Sequence, residues 1–266
     1  MCDMVLIRRC RDRPHQDDVT TPKDLAQCQG SNGAHSDWSG DPTCGRQSSD
    51  LSMKLFYLPG SCALASHVAL ECGGLAYEAV RVERGAQTDP TYLAINPLGR
   101  VPALVTATHG MITEVPAVLS YIADVATGPA LLPAMGKPER YEALRWMAYL
   151  SSTVHPAFGR LWRAERIADD AGCKSSVEHA AATQLNNDFA HIEEQLSGRQ
   201  WVAGDQLTAA DFYLFVFGRW GLRLPTGTRS FPSFHRHTLA IASLAATKSA
   251  IAQQGITFEG PASGPG

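Results

Sequence analysis

The sequence predicts an α/β domain followed by an all-helical domain. Strand and helix signals alternate from Met53 to about residue 127, beginning with an apolar run that a Pro-Gly turn closes. After a link that contains Pro and Gly, apolar and aromatic residues recur only at helical spacing. We therefore expect an α/β domain over residues 53–130 and a helical domain over residues 138–256.

The elements of the first domain follow the order strand, helix, strand, loop, strand, strand, helix. The apolar run 54–58 predicts a buried strand, and the helix formers of residues 63–72 end at a Gly-Gly pair. The alternating segment 77–82 suits a strand parallel to the first, reached by a right-handed crossover. A hairpin made of VPALV and GMITE follows, and the amphipathic segment VPAVLSYIADVA closes the domain as a helix.

The second domain has four predicted helical segments. They cover residues 139–168, 175–197, 209–222 and roughly 233–253. A capping box begins the third segment, because Thr208 and Asp211 are spaced to exchange side-chain and backbone hydrogen bonds. We expect the polar residues 257–266 to form a disordered tail.

Residues 1–52 differ from the rest in composition. They are rich in Asp, Gly, Ser, Gln and Pro, so they cannot bury enough apolar surface to offset their ordering entropy. We expect a disordered extension. Because Met53 opens the first strand, we expect the folded protein to begin there, with the preceding residues an extension or the product of an upstream start choice.

Charge and composition argue against several classes of function. A formal net charge of -3 disfavours nucleic-acid and anionic-membrane partners. No apolar run approaches the roughly 18 residues that cross a bilayer, and the N-terminus has no apolar signal core. We therefore expect a cytoplasmic protein.

The cysteines favour free thiols. There are seven, an odd number, and none belongs to a C-x-x-C pair. Four lie in residues 1–52, where a zinc site with His15 or His35 is the alternative. Their spacing matches no structural zinc pattern, so we expect no metal site.

Cys62 stands between a Pro-Gly-Ser turn and the first predicted helix. Backbone N–H groups at a helix start are unpaired and carry partial positive charge, so they stabilise a thiolate of the chain or of a ligand and lower its pKa. Ser61 and Tyr57 add hydroxyl donors on the same side. The alternative is that Cys62 is a small buried apolar residue.

Two further positions could contact a ligand. Val101 and Pro102 stand where a strand begins, and a cis bond between them would turn the backbone of Val101 outward as an edge for an extended peptide. Glu114 precedes the last helix of the domain, where its carboxylate either caps that helix or binds a ligand ammonium group.

His155, Phe158 and Trp162 share one face of the first long helix, because they are spaced i, i+3 and i+7. That face either packs on a neighbouring helix or lines a cleft opposite the α/β domain. In the second case His155 is a polar contact, and the two aromatic side chains belong to an apolar pocket.

Four motifs occur in order along residues 53–256, and together they resemble the bacterial beta class of cytosolic glutathione transferases. They are MKLFYLPGSCALASH, AINPLGRVPAL, TE-x-x-A-x-x-x-YIAD and W-x-x-G-x-x-L-T-x-A-D. The resemblance implies a thioredoxin-like N-terminal domain that binds glutathione and an all-α C-terminal domain that supplies the electrophile pocket. It also implies a two-fold homodimer.

The resemblance assigns residues to the glutathione site. It implies that Tyr57, Ser61 and Cys62 surround the glutathione sulfur, which His155 approaches from the helical domain.

It also implies that the backbone of Val101, before a cis Pro102, pairs with the cysteinyl part of glutathione. Glu114, with Val115 at the start of the helix, would bind the γ-glutamyl end.

The expected function is conjugation of glutathione, a co-substrate and not a cofactor, to small hydrophobic electrophiles held at Phe158 and Trp162. Thiol–disulfide exchange through Cys62 is a second expected activity. The alternative is a non-catalytic binding or regulatory protein on the same fold, because fold does not fix function. Val115 and Pro156, which depart from the family pattern, keep that alternative open.

Overall fold

The structure, a computed structural model, describes residues 53–259. Its first part is a four-stranded sheet made of β1 (Met53–Tyr57), β2 (Tyr77–Arg81), β3 (Ala103–Thr106) and β4 (Gly110–Thr113). The strand order is β2-β1-β3-β4, with β2 parallel to β1 and the other neighbours antiparallel. The predicted sheet domain, with its parallel crossover and its hairpin, is confirmed.

Nine α-helices lie in the described part of the chain. Three belong to the sheet domain: α1 (Ala63–Cys72), α2 (Pro90–Leu93) and α3 (Val115–Val125). Six follow it: α4 (Pro138–Tyr149), α5 (His155–Trp162), α6 (Ala171–Leu196), α7 (Ala209–Gly221), α8 (Pro232–Ser243) and α9 (Ala245–Gln253). The all-helical character of the second part is therefore confirmed.

Two of the predicted helical segments are each divided in two. The segment predicted over 139–168 is α4 and α5 joined by a π-helical turn, Leu150–Val154, and it ends at Trp162. Pro156 has no N–H to donate to the preceding turn, which accounts for the irregular hydrogen bonding there. The segment predicted over 233–253 divides at Leu244, whose backbone is extended.

The core joins the sheet domain to the helices through α1 and α7. Residues Ala63–Leu70 of α1 are all buried, because this helix packs on α3, α7 and α9. Every residue of α7 is buried as well. The predicted cap of α7 is present, since the Thr208 N–H donates to the Asp211 carboxylate over 2.8 Å. A second oxygen of that carboxylate accepts from His237 Nε2 at 2.9 Å.

Several predictions fall outside the described residues. They include the disordered extension 1–52 and the alternative zinc site with its histidines. Of the predicted tail, residues 257–259 are described and make contacts, for example between the Thr257 carbonyl and Arg219 Nη2 at 2.9 Å. Among the described helices, none is long and apolar enough to cross a membrane.

Candidate active site

A cleft of about 490 Å³ lies between the sheet domain and the helices. We call its two sides the sheet-side wall and the helix-side wall. The sheet-side wall includes Cys62, Arg100, Val101, Pro102, Glu114 and Val115. The helix-side wall includes Ser151, His155, Arg160, Arg163, Arg166 and Tyr213.

Cys62 lies on the sheet-side wall immediately before α1. Its side chain is 6% exposed, and its Sγ donates to the Val101 carbonyl over 3.5 Å. Burial raises the pKa of the Cys62 thiol to about 12; the Glu114 charge adds to this increase, and backbone N–H groups only partly oppose it. The expected lowering of this pKa is therefore wrong, and Cys62 is a neutral thiol at neutral pH.

The loop before β3 presents Val101 to the cleft. The Val101–Pro102 peptide bond is cis, as the resemblance implied. The preceding Arg100 carbonyl accepts two hydrogen bonds, from the Tyr92 hydroxyl and from Asn96 Nδ2, each at 2.7 Å. Within residues 53–259, no protein group accepts a hydrogen bond from the Val101 N–H. A fixed loop thus offers a free backbone donor to a ligand.

Glu114 has an unusual backbone conformation at the start of α3. Its φ is 65°, the one positive φ of a non-glycine residue in the described part of the chain. Its side chain makes no capping hydrogen bond to α3, so the capping interpretation is wrong. Such strained conformations persist where surrounding structure holds them, and they concentrate at functional sites. The Glu114 carboxylate lines the cleft and remains available to a ligand.

His155 and Tyr213 form a polar pair on the helix-side wall. The Tyr213 hydroxyl lies 3.3 Å from His155 Nδ1. Burial, together with the positive charges of Arg100 and Arg163, lowers the pKa of His155 to about 4. Burial also raises the pKa of Tyr213 well above its ordinary value, so both groups are neutral near pH 7. The sequence analysis did not predict Tyr213 as a site residue. The one feature that could have indicated it is a hydroxyl group within an otherwise apolar helix.

Tyr57 and Ser61 do not line the cleft. The Ser61 hydroxyl is buried behind the first turn of α1, where it accepts from the Ala63 N–H at 3.3 Å. The Tyr57 hydroxyl donates to the Gln253 carbonyl over 3.4 Å, toward the C-terminal helix. Of the three residues predicted around the sulfur, the structure brings only Cys62 to the cleft.

Phe158 and Trp162 also lie outside the cleft lining. Phe158 is fully buried and stacks on Phe217 with 5.9 Å between ring centroids. Trp162 packs on Phe158 at 4.9 Å and edge-on against Trp220 at 5.3 Å. The two aromatic side chains of this helix face therefore pack against α7, whereas His155 lines the cleft.

Four arginines line the cleft, and the sequence analysis missed all of them as site residues. Arg160 lies in α5, Arg163 joins α5 to a 3-10 turn, and Arg166 ends that turn; Arg100 faces them from the other wall. Their signal was the spacing i, i+3, i+6 in GRLWRAER. Glu114 is the one carboxylate of the cleft lining.

Within residues 53–259, no group of three or more His, Cys, Asp or Glu side chains is arranged to hold a metal ion.

A thioredoxin-like sheet domain joined to a helical domain, with a cleft between them, is the architecture of a glutathione-binding transferase fold. Two family models match the chain, "Glutathione S-transferase, N-terminal domain" over residues 51–124 and "Glutathione S-transferase, C-terminal domain" over residues 123–245. The chain belongs to the glutathione S-transferase family. The resemblance stated from its motifs is thus confirmed.

Individual relatives agree with this assignment. Glutathione S-transferase GST-4.5 of Xanthomonas campestris pv. campestris is 36% identical over 199 residues, which cover 73% of this chain and 96% of that protein. A sphingomonad glutathione S-transferase solved in complex with glutathione is 33% identical, with a TM-score of 0.69, and the match covers 77% of this chain and all of that one. A bacterial beta-class enzyme from Sphingomonas chungbukensis is 32% identical, with a TM-score of 0.69 and coverage of 77% and 100%.

Proposed function

We propose that this protein is a transferase that conjugates glutathione to an electrophile bound in the cleft. The observation that carries the proposal is the convergence on the sheet-side wall of a helix start, a free backbone edge and a carboxylate. Glutathione presents a thiol, an extended peptide backbone and an ammonium group, so each feature of the wall has a chemical counterpart.

Glutathione would lie along the sheet-side wall. The backbone of Val101 would pair with its cysteinyl residue as an added strand, next to the cis Pro102. Glu114 would accept from the γ-glutamyl ammonium group, and the N–H of Val115 at the start of α3 would donate to the γ-glutamyl carboxylate. A sphingomonad relative at 33% identity was solved in complex with glutathione, which supports glutathione as the ligand.

The sulfur of glutathione would lie near Cys62 and the start of α1. There the helix start stabilises the glutathione thiolate, and the neutral Cys62 thiol would rotate from the Val101 carbonyl to donate its one hydrogen bond to the bound sulfur. His155 and Tyr213 face the same region from the other wall. The thiolate forms a C–S bond, the leaving group departs with the bonding electrons, and the thiol proton passes to solvent. Ser61 and Tyr57 act indirectly, by holding the turn before Cys62 and the end of β1.

The proposal also includes a bound electrophile, a two-fold homodimer and a cytoplasmic location of the protein. The electrophile would lie against the helix-side wall, and proximity to the bound thiolate would supply much of the rate enhancement. Thiol–disulfide exchange through Cys62 remains a prediction. Size-exclusion chromatography with light scattering tests the dimer directly.

Retention on immobilised glutathione, followed by turnover of chlorodinitrobenzene, tests the proposed function. We expect retention and turnover in the wild type. We expect Cys62→Ala to keep at least about a tenth of the conjugation rate, because a neutral thiol contributes one hydrogen bond. Disulfide exchange should disappear in the same variant. A protein that is neither retained nor active would support the non-catalytic alternative instead.

A further inference from the structure

We propose that the electrophile carries a negative charge, in the form of a carboxylate or a similar oxyanion, and that Arg163 and Arg166 bind it. The inference rests on the proposed function and specifies its second substrate. It replaces the expected hydrophobic electrophile, because the aromatic side chains assigned to that pocket pack against α7 instead.

The charge of the cleft is opposite to that of the whole chain. The full sequence has a formal net charge of -3, yet four arginines and a single glutamate line this cleft. Such a local concentration of positive charge raises the local concentration of an anionic substrate. The cationic cleft is therefore a specific feature and not a consequence of overall composition.

The cleft arginines differ from those arginines of the described chain whose charge a carboxylate neutralises, although Arg219 and Arg236, outside the cleft, also donate only to backbone carbonyls. Four arginines outside the cleft each pair with a carboxylate, at distances from 2.7 to 3.1 Å: Arg81, Arg140, Arg145 and Arg229. Within residues 53–259, none of the four cleft arginines belongs to an ion pair. No carboxylate therefore neutralises their charge by direct contact, and a guanidinium can bind the carboxylate of a ligand in a bidentate manner.

Glutathione by itself does not account for all these charges. Its γ-glutamyl end belongs to Glu114 and the start of α3, and its glycine carboxylate needs one cation. Arg100 precedes Val101 and lies on the same wall as the peptide, so it suits that carboxylate. Arg160 already donates to Gln184 Oε1 at 2.7 Å. Arg163 and Arg166 remain for the second substrate.

The position of Arg163 also favours an anionic ligand. Its guanidinium is half-buried and lies close enough to Arg166 and Arg84 for their positive charges to act on it, with the Glu165 charge acting in the opposite direction. Half-burial of a cation without an ion-pair partner costs free energy, and a bound carboxylate would remove much of that cost. His155 stays neutral beside Arg100 and Arg163, so the helix-side wall does not gain a further charge near pH 7.

A matched pair of substrates tests the proposal. Chloronitrobenzoate and the corresponding chloronitrobenzamide have the same shape, with chlorine ortho to the nitro group, but only the first is an anion. In both reactions the glutathione thiolate forms a C–S bond, chloride leaves with the bonding electrons, and the thiol proton passes to buffer. For each compound, kcat/KM is divided by the second-order rate constant of its non-enzymatic reaction with glutathione. The readout is the ratio of this normalised value for chloronitrobenzoate to that for chloronitrobenzamide.

We expect this ratio to exceed one in the wild type and to fall about tenfold or more in the Arg163→Gln, Arg166→Gln double variant. Arg145→Gln is the matched control, because Arg145 is paired with Glu142 on α4 away from the cleft. The control should leave the ratio unchanged. High salt should also reduce the ratio, since screening weakens the attraction.

Other outcomes overturn the inference or its foundation. A ratio near one in the wild type would show that the cleft does not select an anionic electrophile. An unchanged ratio in the double variant would show that Arg163 and Arg166 do not bind the electrophile. If the KM for glutathione rises in that variant, the two arginines serve glutathione instead. No turnover of either compound would overturn the proposed function only if chlorodinitrobenzene is not turned over either. Calorimetric binding of unreactive nitrobenzoate against nitrobenzamide, to the wild type and the double variant, would then decide whether the cleft selects organic anions.

Discussion

The two walls of the cleft are built by different means. The sheet-side wall depends on backbone conformation: a cis bond before Pro102, a positive φ at Glu114 and the first turn of α1. The helix-side wall depends on long charged and polar side chains, above all Arg163 and Arg166. The comparison suggests that one wall is suited to a fixed partner with a peptide backbone, and that the other determines which second substrate is accepted.

The largest effect is expected from the sheet-side wall. Glu114→Ala should raise the Kd for glutathione about tenfold to a hundredfold, because it removes a charged hydrogen bond to the ligand ammonium group worth about 1.5–3 kcal/mol. Calorimetric titration with glutathione measures this. Arg163→Gln is the comparison variant, and its glutathione Kd should stay within about threefold of the wild type if the two walls divide their tasks as proposed.

Equal losses of glutathione affinity in Glu114→Ala and Arg163→Gln would contradict the division of tasks between the two walls. Glu114→Gly separates charge from backbone strain, since glycine adopts a positive φ without penalty. It should lose affinity as Glu114→Ala does while retaining more stability. An affinity unchanged by either substitution would mean that the Glu114 carboxylate does not contact glutathione.

The contrast between the walls also explains which parts of the fold and of the site could be predicted from the sequence. Prolines, glycines and helix starts mark backbone conformations locally, so the parallel first strand pair, the hairpin and the helix starts around the sheet-side wall were predictable, whereas the cis Val101–Pro102 bond followed from the resemblance. The helix-side wall depends on which face of α5 turns toward α7. Because α7 is buried on all sides, it takes Phe158 and Trp162 as packing partners and leaves the arginine stripe for the cleft.

Burial explains the errors at the sulfur. The start of α1 predicted a low pKa for Cys62 from its backbone N–H groups, which do act in that direction. Tertiary packing reverses the outcome, because the thiol is enclosed and the Glu114 charge is nearby. Enclosure is a property of the assembled domains, and no local motif reports it. The same holds for Ser61, which the fold buries completely.

The second prediction concerns the pH dependence of the helix-side wall. The pKa of His155 is about 4 in the folded protein, against about 6.5 for an unperturbed histidine in the unfolded chain. The unfolded state therefore takes up the proton first as the pH falls. The free energy of unfolding therefore contains the full contribution of the neutral, buried His155 above about pH 6.5, and this contribution is lost as the pH falls toward about 4. Between about pH 7.5 and about pH 5, this loss amounts to about 2 kcal/mol.

Urea unfolding of the wild type and of His155→Gln at both pH values measures this contribution. The variant should lose about 2 kcal/mol less than the wild type over the same interval. Burial lowers the pKa of His67 as well, but that contribution is common to both proteins and cancels in the difference. His179→Gln, at an exposed position of α6, is the control and should behave as the wild type. Parallel pH profiles for the wild type and His155→Gln would contradict the prediction.

The smallest predicted effect tests whether the sheet-side wall is independent of the helices. The turn before Cys62 is held from the C-terminal helix, because the Gly60 N–H donates to Gln254 Oε1 at 2.9 Å. Gln254 Nε2 also lies 3.1 Å from His67 Nδ1. On its other side, the Gly60 carbonyl accepts from Trp220 Nε1 at 3.0 Å. These contacts predict that the position of the α1 start is set partly by residues far along the chain.

Gln254→Ala should therefore lower the free energy of unfolding by about 1–2 kcal/mol, because it leaves a buried Gly60 donor unpaired. It should also raise the glutathione Kd a few-fold, since the turn that positions Cys62 is no longer fixed. Gln206→Ala, at an exposed position in the segment before α7, is the control and should cost less than about 0.5 kcal/mol. If Gln254→Ala reduces stability but leaves the glutathione Kd unchanged, the sheet-side wall holds its geometry without the helices, and the two walls are more independent than these contacts indicate.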